Sequence, residues 1–179
     1  DEFAEQSAWK RDWNMDFKLY RPIFEAAYDL KLTMVALNVP RDWVRTISRT
    51  GLASLPAEQA AQVPAIDLTN AEHRSIFDAM MGGHPASPDG AARMNNTYAS
   101  MVFWDTAMAD SALRAMRWRG ENAVCVIIAG VGHNLYNRGI GMRIGVQTGG
   151  KEKVLTVISV QGGDPVARGI GDFVFRPKE

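Results

Sequence analysis

The chain has 179 residues, 46% of them hydrophobic and 22% charged, with 20 basic residues against 20 acidic. That length suits one domain spanning 1–179 with a sizeable core, and the composition excludes a disordered chain. Balanced charge without a basic block argues against a nucleic-acid partner, and no apolar run approaches the ~20 residues of a transmembrane span.

The first segment, from Trp9 to Tyr20, mixes aromatics and charges and reads as an ordered loop or short helical turn. Arg21-Pro22 opens a helix, because proline suits a first turn whose N–H groups lack intrahelical partners. Ile23, Ala27 and Leu30 then share one face, with Phe24 and Tyr28 beside them as core. Residues 32–37 read as a short apolar strand ending at Asn38. Pro40 opens a second helix that Gly51 stops, and prolines break residues 52–70 around a short alanine-rich piece. Asn70 caps a helix through Met81, on which His73 reads as surface or structural. A loop over 84–89 follows, carrying His84 as a free-standing histidine.

The longest helix runs from about Ala92 to Arg117. Met94, Tyr98, Met101, Met108, Ala112 and Met116 line one stripe of it, and Asp105 falls on that same stripe. A carboxylate on a buried face costs several kcal/mol unless it is paired. Asp105 therefore meets a cation or backbone donors, or sits at the mouth of a cavity. Next come an apolar strand over 123–128 containing the lone Cys125, a glycine-rich turn, a helix near 138–145, and strands over 154–160 and 172–175. The alternation predicts α/β architecture: three layers, a mostly parallel sheet flanked by helices, incomplete at one edge.

Residues 129–143, Ala-Gly-Val-Gly-His-Asn-Leu-Tyr-Asn-Arg-Gly-Ile-Gly-Met-Arg, carry the densest chemistry. They lie past the carboxyl end of a buried strand, where open α/β sheets hold ligands. One imidazole (His133), one phenol (Tyr136) and two guanidiniums (Arg138, Arg143) fall there, and the glycines permit tight turns and close approach. The structural alternative is a turn with a hydrogen-bonded histidine.

Several segments together resemble the ChaN-type haem-binding uptake proteins of the Tiki superfamily. They are Trp9 to Tyr20-Arg21-Pro22-Ile23-Phe24-Glu25, Ala36-Leu37-Asn38-Val39-Pro40-Arg41, Phe103-Trp104-Asp105-Thr106-Ala107-Met108-Ala109, and Ala129-Gly130-Val131-Gly132-His133 through Gly139-Ile140-Gly141-Met142-Arg143. The closing Asp172-Phe173-Val174-Phe175 also fits. One departure is that the family's opening strand with its Gly-Glu-x-His element is not found, so the chain resembles the later two-thirds of such a domain. A chain beginning Asp-Glu-Phe reads as a mature or truncated piece, with an N-terminal segment or partner chain expected over an exposed sheet edge.

The resemblance implies a bacterial, envelope-associated protein, often a lipoprotein, that binds haem in iron uptake and can dimerise; binding without catalysis is the first reading, with catalysis left open. Haem iron is then held by a tyrosine with a histidine nearby, which makes Tyr136 and Tyr98 the metal-ligand candidates, equally ranked ahead of Tyr20. His133, Arg138, Arg143, Asp105 and Asn38 complete the cofactor-binding set that the resemblance implies, the arginines as partners for propionates. Two other readings stay open. One is a metal-dependent hydrolase of the wider superfamily, with His133 and Asp105 at its centre; the other is an interaction module whose glycine turn is structural.

Overall fold

Aromatic packing organises the start of the chain. A computed structural model describes residues 2–82, 88–120 and 122–177, and the chain divides into two compact units, residues 1–36 and 37–179. Of the loop expected over 84–89, residues 84–87, with His84, lie outside the described residues, and the long helix has already begun at Pro88. The first unit holds α1 (Glu2–Gln6), α2 (Trp9–Asp12) and α3 (Arg21–Asp29), with a 3₁₀ turn over Phe17–Leu19 between the last two, and its aromatics gather around Trp9 of α2. Trp13 stacks on Trp9 at 5.0 Å, while Phe17, Tyr20 and Phe24 meet its edges and faces at 5.1, 5.2 and 5.6 Å. The Trp9 indole N–H donates to the Met15 carbonyl at 3.0 Å, so its polar end is satisfied too. Proline at the start of α3 sits where it was expected, and Ala27 is buried. Tyr28, expected in the core, is instead 84% exposed, because α3 packs only through its Ala27 and Phe24 side.

The second unit is built on one long helix. Helices α4 (Arg41–Thr50), α5 (Ala57–Ala60), α6 (Ala71–Met80), α7 (Pro88–Arg119) and α8 (Ile140–Thr148) follow in order. At 1.5 Å per residue the 32 residues of α7 span about 48 Å. Three apolar clusters form along it. Ala99, Phe103 and Ala107 pack with Ile47 of α4 and with Leu55 and Val63. Tyr98 and Val102 pack with Phe77 of α6. Met108, Ala109 and Leu113 pack with Ile140 and Ile144 of α8. Residues 105–109 are buried without interruption, which is how a helix reads when neighbours cover it all round.

Strand content is smaller than expected. Among the described residues, β1 (Val157–Ser159) and β2 (Phe173–Phe175) form a two-stranded parallel sheet, with Val157 opposite Phe173. A parallel pair joined by a crossover keeps the α/β character, but flanking of a wider sheet by two helical layers is not seen. Residues 32–37 and 123–128, expected as strands, have no regular secondary structure and no strand partner among the described residues. The second stretch still alternates as a strand would: Val124 and Val126 are 91% and 84% exposed, while Ile127 and Ala129 turn onto the Met108–Ile144 cluster.

The glycine turn folds back on itself tightly, as two 3₁₀ turns over Val131–His133 and Leu135–Asn137 leading into α8. A Cβ on Gly139 would sit 1.9 Å from the His133 carbonyl oxygen, and one on Gly141 would sit 1.7 Å from Asn137 Oδ1. These glycines let the turn pack against its own backbone and side chains. The left-handed positions of the turn fall elsewhere, on Tyr136 (φ 54°) and Asn137 (φ 55°). Gly145, mid-α8, has open space around it. Gly139→Ala is expected to cost at least about 1–3 kcal/mol by forced displacement. Gly145→Ala should instead add about 0.5–1 kcal/mol through helix propensity. Urea-denaturation midpoints of the two variants should move in opposite directions.

Candidate functional site

At the middle of α7 the Asp105 side chain has no solvent exposure. Three other segments bring nitrogen groups to it. From the glycine turn, His133 Nδ1 stands 2.5 Å from Asp105 Oδ1. From α8, Arg143 Nη1 stands 3.5 Å from Oδ2. From α6, His73 Nε2 stands 3.7 Å from Oδ2. Asp105 Oδ2 and His73 Nε2 are both buried and make no hydrogen bond within ordinary distance. They face each other across a gap slightly too wide for one.

Arg143 is held inside the protein. Its Nη1 donates to the Arg138 and Gly139 carbonyls at 3.0 and 2.9 Å, its Nε to Thr106 Oγ1 at 3.2 Å, and its Nη2 to His73 Nδ1 at 3.4 Å. A guanidinium only donates, so in its contact with Arg143 the His73 Nδ1 is the acceptor. The same Nδ1 lies 3.2 Å from the Tyr98 hydroxyl, which also reaches the Asn70 carbonyl at 3.4 Å. Asn70 caps α6 as expected, accepting from the His73 backbone N–H at 2.8 Å.

Burial governs the electrostatics. It lowers the His73 pKa from 6.5 to about 4, and the nearby charges of Arg143 and His133 push in the same direction. Burial raises the Asp105 carboxyl, while the His133 hydrogen bond and the Arg143 charge pull it back. Tyr98 is raised by burial as well.

His133 connects this interior to the surface. Its side chain is partly exposed, and its Nε2 makes no hydrogen bond and is not buried. Trp104 meets the imidazole edge-on at 5.3 Å, and the indole N–H donates to Asn38 Oδ1 at 2.8 Å. Asn38 thus supports the wall beside His133. Tyr136 is 36% exposed, and its backbone N–H donates to the Ile170 carbonyl at 2.8 Å. Arg138 lies on the surface, paired with Glu72 at 2.5 Å.

Of the expected residues, His133, Asp105 and Arg143 are therefore joined directly, and Asn38 joins them through Trp104. Tyr98 lies on the inner side of the cluster, 2% exposed, with its hydroxyl turned to His73 and Asn70. Tyr136 and Arg138 lie on the outer side. His73, read from sequence as surface or structural, is a buried member of the cluster. Its i, i+4 spacing to the buried Phe77 is the signal that marks this helix face as inward. Among the described residues no group of three or more His, Cys, Asp or Glu could hold a metal ion, and no helix is long and apolar enough to cross a membrane.

The glycine turn thus carries a part-exposed histidine backed by a buried carboxylate, and an exposed tyrosine three residues on. Residues 1–144 match the family described as haem-binding uptake, Tiki superfamily, ChaN, and the chain belongs to that family. No curated protein and no solved structure gives a significant match.

The buried ring of His73 predicts a specific acid sensitivity. Above pH 6.5 the ring is neutral in both folded and unfolded chains and adds no pH dependence. Between pH 6.5 and about 4 the unfolded chain takes up a proton that the folded one refuses. Stability is therefore lost as pH falls, by about 1.4 kcal/mol per unit and roughly 3 kcal/mol in all. Asp105, displaced upward, works in the opposite sense, so the His73 contribution is read as a difference. Denaturation of wild type and His73→Gln across this range should show the stability gap between them narrowing by about that amount toward acid pH.

Proposed function

We propose that the chain binds haem, with Tyr136 as the oxygen ligand to iron and His133 beside it. The observation that carries the choice of Tyr136 is its backbone. A tyrosine held at φ 54°, ψ 21° in a glycine-rich turn occupies a region that costs a side-chain-bearing residue about 1–2 kcal/mol. Glycine would adopt it freely, so the phenol is kept there against local preference. Tyr98 has no such access, its hydroxyl being buried among protein groups.

The donor set suits the group. A phenolate is a hard anionic oxygen of the kind that holds ferric haem iron, and His133 Nε2 is a nitrogen without a protein partner. Arg138 is placed to exchange its exposed Glu72 partner for a propionate, since a surface ion pair holds it by only about 0–1 kcal/mol. Arg143 is occupied by internal acceptors and acts as scaffold. Bound haem would supply the iron centre and the coloured, flat apolar surface; the protein supplies the ligands and the wall of Trp104.

The same reading places the protein in the bacterial envelope, as a lipid-anchored component of haem uptake without catalysis, on family membership alone. It also takes the alternating stretch 123–128 as the edge at which a wider, three-layer parallel sheet is completed by an N-terminal segment, a partner chain or a second copy. Light scattering on a sizing column should then report a dimer or hetero-complex; a strict monomer with and without hemin would remove that part of the reading.

Titrating the protein with hemin should give a saturable Soret change. Tyr136→Phe and Tyr136→Gly should each weaken binding at least tenfold, about 1.4 kcal/mol. Tyr136→Gly should leave stability unchanged or raise it by up to about 1 kcal/mol, since the left-handed strain is relieved. Tyr98→Phe should leave hemin affinity unchanged. Full binding in Tyr136→Phe rejects the assignment.

A further inference from the structure

Two methionines close over the glycine turn, and they differ in what else reaches them. His73, Phe77 and Met80 follow one another along a single face of α6, at i, i+4 and i+7. The first two are buried, while Met80, in the last turn of the helix, is 44% exposed. Its inner end is seated on Gly132. A Cβ on that glycine would lie 2.9 Å from Met80 Sδ and 3.3 Å from its Cε. Met101 of α7 reaches the same glycine through its methyl, 3.7 Å from that Cβ, and packs with the Phe77–Tyr98–Val102 cluster. Gly132 directly precedes His133, whose Nδ1 is held by Asp105 and whose carbonyl is pressed against Gly139. The turn therefore has no slack here: the Met80 sulfur fills the space that any side chain at 132 would need. A thioether suits such a gap because it is apolar, unbranched and polarisable.

We propose that Met80 is a redox-sensitive latch on the glycine turn, sprung by hydrogen peroxide. The sulfur lone pair attacks one peroxide oxygen, the O–O bond breaks as an S–O bond forms, and water leaves. Sulfur is oxidised, the peroxide is reduced, and the atoms balance as sulfoxide plus water. The sulfoxide is polar and chiral, and it carries an oxygen where the thioether carried only lone pairs. With Gly132 against the sulfur and an apolar cluster behind it, that oxygen has no place at the seat. The side chain withdraws toward the solvent that its exposed part already meets, and Gly132 and His133 lose the contact that seats them. A methionine sulfoxide reductase restores the thioether, so the latch can be reset. The latch is a property of the turn itself; only its effect on ligand binding rests on the haem reading above.

The latch is tested first on the protein without hemin. Dilute hydrogen peroxide should add one oxygen to the Met80 peptide, read by mass spectrometry, and the amide NMR signals of Gly132 and His133 should shift in step. Sulfoxide reductase with dithiothreitol should return them. Met80→Leu keeps an apolar side chain of similar volume, so peroxide should leave its turn signals in place. Met101→Leu should keep the wild-type response. Met80→Gln, which puts a permanent polar group at the seat, should show shifted signals without peroxide. Turn signals unmoved in protein whose Met80 is oxidised overturn the inference. So does an equal shift in peroxide-treated Met80→Leu, or a Met80 that stays reduced while Met81, 45% exposed, is converted. Hemin titration of the same samples, after the peroxide is removed, separates this inference from the haem reading. Affinity lost on oxidation in the wild type but kept in Met80→Leu supports both. Affinity unchanged while the turn signals shift overturns the effect on the ligand and leaves the latch standing. Wild type that never binds hemin overturns the haem reading, and the latch is then decided by the turn signals alone.

Discussion

A carboxylate without water is the constraint around which the second unit is arranged. Asp105 sits midway along α7 with no exposure, and its surroundings must offset the cost of taking a charge out of solvent. They do so with groups from three separate segments: an imidazole from the glycine turn, a guanidinium from α8 and a second imidazole from α6. None of these is close to Asp105 in sequence, so the unit has to close before the charge is compensated. Arg143 extends the arrangement by tying its own turn together through the Arg138 and Gly139 carbonyls. Such a network stabilises less than an apolar core of equal volume would, and it specifies more. Four elements are oriented by one side chain.

That orientation explains why the site has an inner and an outer side. Inward lie groups that complete each other's hydrogen bonds: Tyr98, His73, Thr106, Arg143. Outward lie groups with capacity left over, His133 Nε2 and the Tyr136 phenol, together with Arg138 in its exposed pair. The inner side is not wholly satisfied, since Asp105 Oδ2 and His73 Nε2 stay buried there without a hydrogen bond.

Local signals in the sequence were accurate where the physics is local. Proline at the start of α3 and Asn70 at the cap of α6 mark helix ends because capping involves only neighbouring residues. The burial of Asp105 was legible from its place on the apolar stripe of α7. What the sequence could not show was pairing. Residues 32–37 and 123–128 have strand-like composition, yet a strand exists only with a partner, and partners are not written in the strand itself. In the same way Arg138 and Arg143 are alike as residues five apart, and only the fold puts one at the surface and the other inside. Tyr98 and Tyr136 were equally ranked for the same reason. The left-handed backbone of Tyr136 is invisible to composition, because a glycine-rich turn suggests that glycines occupy such positions, and here they do not.

Two consecutive residues of α6 hold the end of the glycine turn and the helix α8 that follows it. Glu72 holds Arg138 in solvent, and His73 holds Arg143 in the interior. A helix latched by an outer and an inner hook cannot swing away by loosening either one alone. Its detachment would expose the orphaned histidine nitrogen and the aspartate together, so the first turn of α6 and the residues around Arg138 should breathe as one piece, rarely, and only when much of the unit opens with them.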